Sequence, residues 1–272
     1  MQIYLPFLPA LLYLCAALLK TERQAVSGGI VVLACGLHGI FLGLDVFTNE
    51  TVRVGFASML STALWVSVIV YCLENRHFAL EPLKVLLLPL AAVGAVLPVF
   101  FRGNLIVLAG KSPMFPWHLA VASLTYCTLT VAAFHVLTMK MQNMYLQPSQ
   151  AGSSLPKRAW LRAAVERLPA LLTMEKILFQ LVFIGFILLS LTVLSGVVFS
   201  EQVLGVAFKW DHKTVFSLLS WILFAILLIG RQWRGWRGKK VLSFTLLAFT
   251  CLMLAYVGSR FVFEVVLHRG VS

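Results

Sequence analysis

The residues of this sequence best suited to chemistry are its histidines, and three of them, His38, His118 and His212, fall within or beside long apolar runs. An ionisable side chain held in lipid is costly, so each is a candidate site residue. Placed on the spans derived below, His38 lies in the outer third of the second, His118 near the outer end of the fifth, and His212 in the short connection before the seventh. Three elements thus bring imidazoles to one depth, where they converge if the spans are neighbours. His135 follows His118 by 17 positions, about 25 Å at 1.5 Å per residue, so the two cannot ligate one metal ion. Two neutral imidazoles from facing helices suit haem iron. Zinc or copper wants further His, Cys or carboxylate ligands, and no H-x-x-x-H or Cys/His pair supplies them.

The neighbours of these histidines admit two readings each. Gly36, Gly39 and Gly43 surround His38 and leave room for a flat ligand, yet small residues at such spacing are also the common device of helix packing in lipid. Trp117 precedes His118, and Tyr126 follows two turns later; an interfacial anchor and a packed phenol are the bland alternatives to haem contact. Arg53, Arg102 and Lys111 fall on the outer side, where they suit carboxylates such as haem propionates or the phosphates of lipid.

The elements that must position these groups follow from composition. The chain has 272 residues, of which 60% are hydrophobic and 12% charged, too few polar side chains to cover a soluble globule of that size. The expectation is an all-α polytopic membrane protein of eight transmembrane helices forming a single membrane domain over 1–272. Each span needs roughly 20 apolar residues to cross about 30 Å of hydrocarbon. They run from Ile3 to Leu19, Ala25 to Leu44, Gly55 to Leu73, Leu83 to Phe101, Phe115 to Met139, Leu171 to Phe199, Thr214 to Gly230 and Val241 to Phe263. The first begins almost at Met1 without a basic leader and contains Pro6 and Pro9, so it reads as a span rather than a cleavable signal. Connections after the odd-numbered spans carry fifteen Lys and Arg against seven on the other side. The richer side is cytoplasmic, which places both termini outside. Residues 140–170 read as a cytoplasmic linker followed by an interfacial helix.

Several function classes lose support at this point. The net charge of +12 is explained by the cytoplasmic loops, and no basic stretch interleaved with aromatics suggests nucleic acid. The five cysteines sit in apolar runs with no C-x-x-C or C-x-x-C-H pattern, so the chain is neither a c-type cytochrome nor a thiol oxidoreductase. Glu175 beside Lys176, and Glu264 one turn after Arg260, read as boundary ion pairs rather than a proton path, which disfavours an ion-coupled transporter. No nucleophile–base constellation or phosphate loop is present, so the chain is not expected to be an enzyme.

Three stretches together resemble the cytochrome c assembly family of haem-handling membrane proteins, the CcsA and CcmC type, closest to its small YpjD- and HemX-like members. The first is Trp117-His118-Leu119 through Ser123 and Tyr126. The second is Leu168-Pro169, Met174-Glu175, Gly185-Phe186, Leu191-Thr192 and Ser195-Gly196. The third is Trp210-Asp211-His212-Lys213-Thr214 with Trp221, Trp236-Arg237-Gly238 and Tyr256-Val257-Gly258. The resemblance implies a haem b site with axial ligation by His118 together with His38 or His212, and propionate contact by Arg102 or Lys111. The family's tryptophan-rich outer loop, which presents haem to apocytochrome, is reduced here to Gly205 and Trp210-Asp211. The expected function is therefore haem binding or transfer without full synthase activity, with membrane lipid and a haem acceptor or membrane protein as partners. The alternative is a non-enzymatic accessory subunit that keeps the fold without haem and regulates a partner through its long basic loop.

Overall fold

The computed structural model describes residues 5–19, 24–48, 51–75, 81–107, 114–146, 168–204, 211–262 and 265. Eight helices follow the eight apolar runs: α1 Phe7–Leu18, α2 Gln24–Val46, α3 Phe56–Glu74, α4 Glu81–Phe100, α5 Met114–Leu146, α6 Leu171–Leu204, α7 His212–Arg234 and α8 Lys239–Phe261. Seven are long and apolar enough to cross a membrane, while α1 has 12 residues. Residues 140–146, expected in the linker, instead continue α5, because Met139 to Leu146 carries no Gly or Pro to stop it. The interfacial helix expected after the linker lies outside the described residues.

Apolar side chains gather in two cores. Tyr13 and Ala16 of α1, Val31 and Ala34 of α2, Leu64 and Val68 of α3, and Leu87 and Leu88 of α4 fill the first. Leu129 and Val136 of α5, Leu178 and Leu189 of α6, Phe224 and Leu227 of α7, and Leu242 and Leu252 of α8 fill the second. The seam runs between α3 and α5, since Met59 of α3 enters the second core and Phe134 of α5 the first. Large side chains such as Leu172, Leu194 and Ile229 point outward and are more than half exposed; in lipid that surface is already solvated.

Polar side chains sort the helix ends. At one end Lys84 Nζ donates to the Leu19 carbonyl at 3.2 Å, His135 Nε2 lies 3.3 Å from Glu74 Oε2, Gln142 donates to the Pro169 carbonyl, and Arg231 pairs with Glu175 at 2.9 Å. Glu175 therefore finds Arg231 of α7 rather than the adjacent Lys176, which on a helix points about 100° away. This is the end rich in Lys and Arg. His135 lies there and not with the other histidines.

At the opposite end the all-α expectation needs an addition. Strands β1 Phe47–Thr48, β2 Thr51–Val54 and β3 Asn104–Val107 form an antiparallel sheet in the order β1-β2-β3, with Val52 opposite Ile106 and Val54 opposite Asn104. Two to four residues are too short for an alternating pattern to stand out, and the β2–β3 pair joins segments far apart in sequence. Gly103 makes it possible. Its φ of 66° is left-handed, and a Cβ there would lie 2.9 Å from Gly55 Cα and the Val54 oxygen.

Candidate functional site at the sheet end of the bundle

His38 is 2% exposed, on the face of α2 that meets α1 and α3. Its Nε2 lies 3.0 Å from Ser61 Oγ and its Nδ1 3.4 Å from the Tyr13 hydroxyl, so the ring is held from both sides, more tightly by Ser61. One turn along α3, Trp65 donates its indole N–H to the Cys35 carbonyl at 2.9 Å. The indole occupies the space over Gly39, where a Cβ would lie 2.6 Å from Trp65 Cζ2. Gly39 thus serves helix packing and not a flat ligand, whereas Gly36 and Gly43 face nothing within 4 Å.

Beside His38 lies a cavity of about 470 Å³, within the range of roughly 300–1,000 Å³ usual for cofactor and small-molecule sites. Its walls come from α1, α2 and α4 and are largely apolar, with Pro9, Phe41 and Val99 among them. Its polar groups fall in two sets. His38 and Ser61 form one; Asp45, Arg53 and Arg102 form the other. Asp45 follows His38 by seven residues on the same helix, about 10 Å of rise.

The second set is cationic on balance, two guanidinium groups against one carboxylate. Arg53 lies 3.4 Å from Asp45 Oδ1, and donates to the Asp45 and Arg102 carbonyls at 3.3 Å each. The sheet strand thereby ties the end of α2 to the end of α4. Asp45 Oδ2 is buried with no hydrogen-bond partner among the described residues, which leaves an acceptor open to a bound group or to water. Asp45, Tyr13 and Ser61 were not among the residues singled out from sequence. Asp45 did carry a signal, as an acid two turns from His38 on an apolar helix.

His118 is also at this end but in a different seam. It is half-buried in the first turns of α5, with Nδ1 2.8 Å from Ser195 Oγ of α6, close to Gly196. The lining of the His38 cavity includes neither His118 nor His212, and among the described residues no three His, Cys, Asp or Glu side chains come together. His38 and His118 therefore occupy two separate settings, with α3 packed against both α2 and α5.

Of the other expected site residues, Tyr126, Trp117, Asp211 and His212 lie outside the lining of the His38 cavity. Tyr126 is buried and its hydroxyl donates to the Leu252 carbonyl, two residues before the π-helical turn Leu254–Gly258 of α8. Trp117 is 72% exposed, as an interfacial anchor would be. Asp211 caps α7, accepting from the Thr214 amide at 2.8 Å and its hydroxyl at 2.9 Å, and His212 is exposed in that first turn. Arg53 and Arg102, both suited by sequence to carboxylates, share a cavity with His38. Lys111, Trp210 and Glu264 lie outside the described residues, as do His77, between the third and fourth spans, and His268, beyond the eighth.

Could this end hold haem? An imidazole at a mostly apolar wall and guanidinium groups about two turns away form a donor set that fits an iron porphyrin carrying carboxylates. Ligation through His38 Nε2 would displace the hydrogen bond to Ser61, a loss of about 0.5–1.5 kcal/mol. That is small beside a metal–ligand bond.

Comparison with known proteins yields a family and several relatives. The family described as cytochrome C assembly protein matches residues 24–267. The inner membrane protein YpjD of Escherichia coli K12 is 24% identical over 254 residues, covering 90% of this chain and 88% of its own. Cytochrome c biogenesis protein CcsA of Gloeobacter violaceus is 25% identical over 203 residues, covering 60% of each chain. CcsA of Marchantia polymorpha is 35% identical over 80 residues, 29% of this chain and 25% of its own. No solved structure matches the chain.

Proposed function

Since the chain belongs to the cytochrome c assembly protein family, we propose that it binds haem b and hands it on in cytochrome c biogenesis, as a multi-pass inner-membrane protein. Membership supports haem handling in general. The single observation that carries the particular site is the cavity that joins His38 to Arg53 and Arg102 across apolar walls. His38 would hold the iron through an imidazole nitrogen, and the two arginines would contact the propionates. His118, in the seam of α5 and α6, is the second imidazole position at the same end. When bound, haem supplies redox-active iron and the vinyl groups to which a cytochrome attaches.

What the chain itself does is bind and orient. The apolar walls exclude water from the porphyrin faces. Arg53, already anchored to two backbone carbonyls, offers a fixed positive charge, and rigid donors lose less entropy on binding than flexible ones. Transfer to an acceptor at the outer surface requires that the site hold haem without enclosing it, and both arginines sit at the end of the bundle. With the charge bias described above, that end faces outward.

One observation favours the alternative of an accessory subunit without haem: both His38 nitrogens already have partners. The absorption spectrum of detergent-purified protein, with and without haemin and in oxidised and dithionite-reduced forms, separates the two. Sharp reduced bands that weaken in His38→Ala and His118→Ala but persist in His77→Ala support the site. Equal effects of all three refute it. A colourless protein that takes up no haemin and co-purifies at fixed stoichiometry with another membrane protein supports the accessory role.

A further inference from the structure

The connection between α7 and α8 is short and pinned in place. The Trp236 amide donates to the Gly230 carbonyl at 3.2 Å, and Arg231 Nη1, paired with Glu175, also donates to the Trp236 carbonyl at 3.2 Å. The Trp236 indole lies on Gly230, where a Cβ would stand 2.6 Å from its Cδ2, and meets the Phe244 ring at 5.0 Å between centroids. Gly235 and Gly238, with φ of 60° and 63°, supply the left-handed turns on either side. Four cationic side chains leave this fixed loop for the surface: Arg234, Arg237, Lys239 and Lys240 are all exposed. None of them has an ion pair or side-chain hydrogen bond among the described residues. Glu175 and Glu74, two carboxylates at this end, are engaged by Arg231 and His135 instead.

Four like charges within seven residues repel one another. Lys239 and Lys240 also open α8, where the helix dipole disfavours cations. The described structure offsets none of this charge, so the counter-charge comes from outside it. The surface of α7 shows from where. Ile222, Ile226, Ile229 and Trp233 recur at steps of four, three and four, which is one face of a helix, and all are exposed. An apolar lane therefore ends at a cluster of cations, the order in which a phospholipid presents its chains and its phosphate.

We propose that the loop from Arg231 to Lys240 is a binding site for the headgroup phosphate of an anionic phospholipid. Arg234, Arg237, Lys239 and Lys240 contact the phosphate, and the lane on α7 takes an acyl chain. Guanidinium groups suit phosphate through paired N–H donors, and lysine through its point charge. A loop already held by Trp236 and Arg231 loses less entropy on binding than a flexible one. The site is independent of the haem reading. It also asks more than a general excess of basic charge on one side of the membrane, which needs only a count of cations; here their arrangement matters.

The test is native mass spectrometry of the purified full chain, titrated with phosphatidylglycerol or with zwitterionic phosphatidylcholine. Expected is saturable retention of phosphatidylglycerol in preference to phosphatidylcholine. Each cation near a membrane surface is worth about five-fold in affinity for anionic lipid, so Lys239→Gln with Lys240→Gln should weaken retention about 25-fold. Adding Arg234→Gln and Arg237→Gln should weaken it further. The control replaces Lys157, Arg158, Arg162 and Arg167 of the long connection by Gln, which removes the same charge and should leave retention unchanged. Melting in detergent should match wild type in the loop variants, because the replaced side chains are exposed. Equal weakening by the two quadruple variants, or equal retention of the two lipids, overturns the proposal. So does retention of inorganic phosphate in place of the lipid, which makes the loop a site for free anions. Loss of a co-purifying protein from the loop variants with lipid retention unchanged overturns it in favour of a protein partner.

Discussion

Substitution of Gly39 by alanine tests the packing that frames His38. A Cβ at this position would lie 2.6 Å from Trp65 Cζ2, 2.8 Å from Cε2 and 2.9 Å from Nε1, whereas ordinary contact begins at 3.4 Å. The obstacle is the rigid middle of an indole and not a pliable side-chain tip, so α2 and α3 must separate by about 0.8 Å or the ring must turn. Overpacking of this kind costs about 1–3 kcal/mol. Either movement also strains the Trp65 N–H bond to the Cys35 carbonyl, worth a further 0.5–1.5 kcal/mol or so. The expected loss is about 2–4 kcal/mol, on the order of 10 °C in melting temperature for a chain of this size. The same separation would stretch the His38–Ser61 contact from 3.0 Å beyond hydrogen-bond range, because Ser61 and Trp65 share one face of α3. The assay is thermal unfolding in detergent, with Gly36→Ala and Gly43→Ala as controls, since a Cβ at either meets nothing within 4 Å. A double variant, Gly39→Ala with Trp65→Leu, should recover part of the loss. If Gly39→Ala melts with the two controls, or if the double variant is simply additive, the close approach of Trp65 to α2 is refuted.

Three other expectations follow from particular contacts. Gly103→Ala forces a left-handed residue against Gly55; it should destabilise the sheet by about 1–3 kcal/mol and raise proteolysis at the β2–β3 end, and wild-type resistance would contradict the sheet. Glu175→Gln leaves Arg231 without its carboxylate, and because Arg231 is about a third exposed the loss should sit near the low end of 1–3 kcal/mol. Replacing both, as Glu175→Leu with Arg231→Met, should be milder than the single change, which a melting comparison decides. Tyr126→Phe removes the donor to the Leu252 carbonyl at a cost of about 1–3 kcal/mol, without loss of haemin uptake; a selective loss of uptake at unchanged stability would return Tyr126 to the site.

Much of the architecture was legible before any coordinates. Eight apolar runs gave eight helices with ends displaced by a few residues, since the requirement to satisfy backbone groups in lipid leaves helices as the main choice. The placement of His38 and His118 toward one end and His135 toward the other followed from rise per residue alone. The small sheet was not legible, because strands of two to four residues carry no period and pair across distant segments.

The site divides along the same line. Sequence spacing determined which residues lie at each depth, because depth in a membrane helix is linear in residue number. Only the tertiary structure decided which of them meet, because azimuth depends on how helices pack, and a difference of one residue turns a side chain by about 100°. Thus Arg102 joined His38 in one cavity, His118 turned instead to Ser195, Glu175 passed over Lys176 for Arg231, and the gap at Gly39 was filled by Trp65.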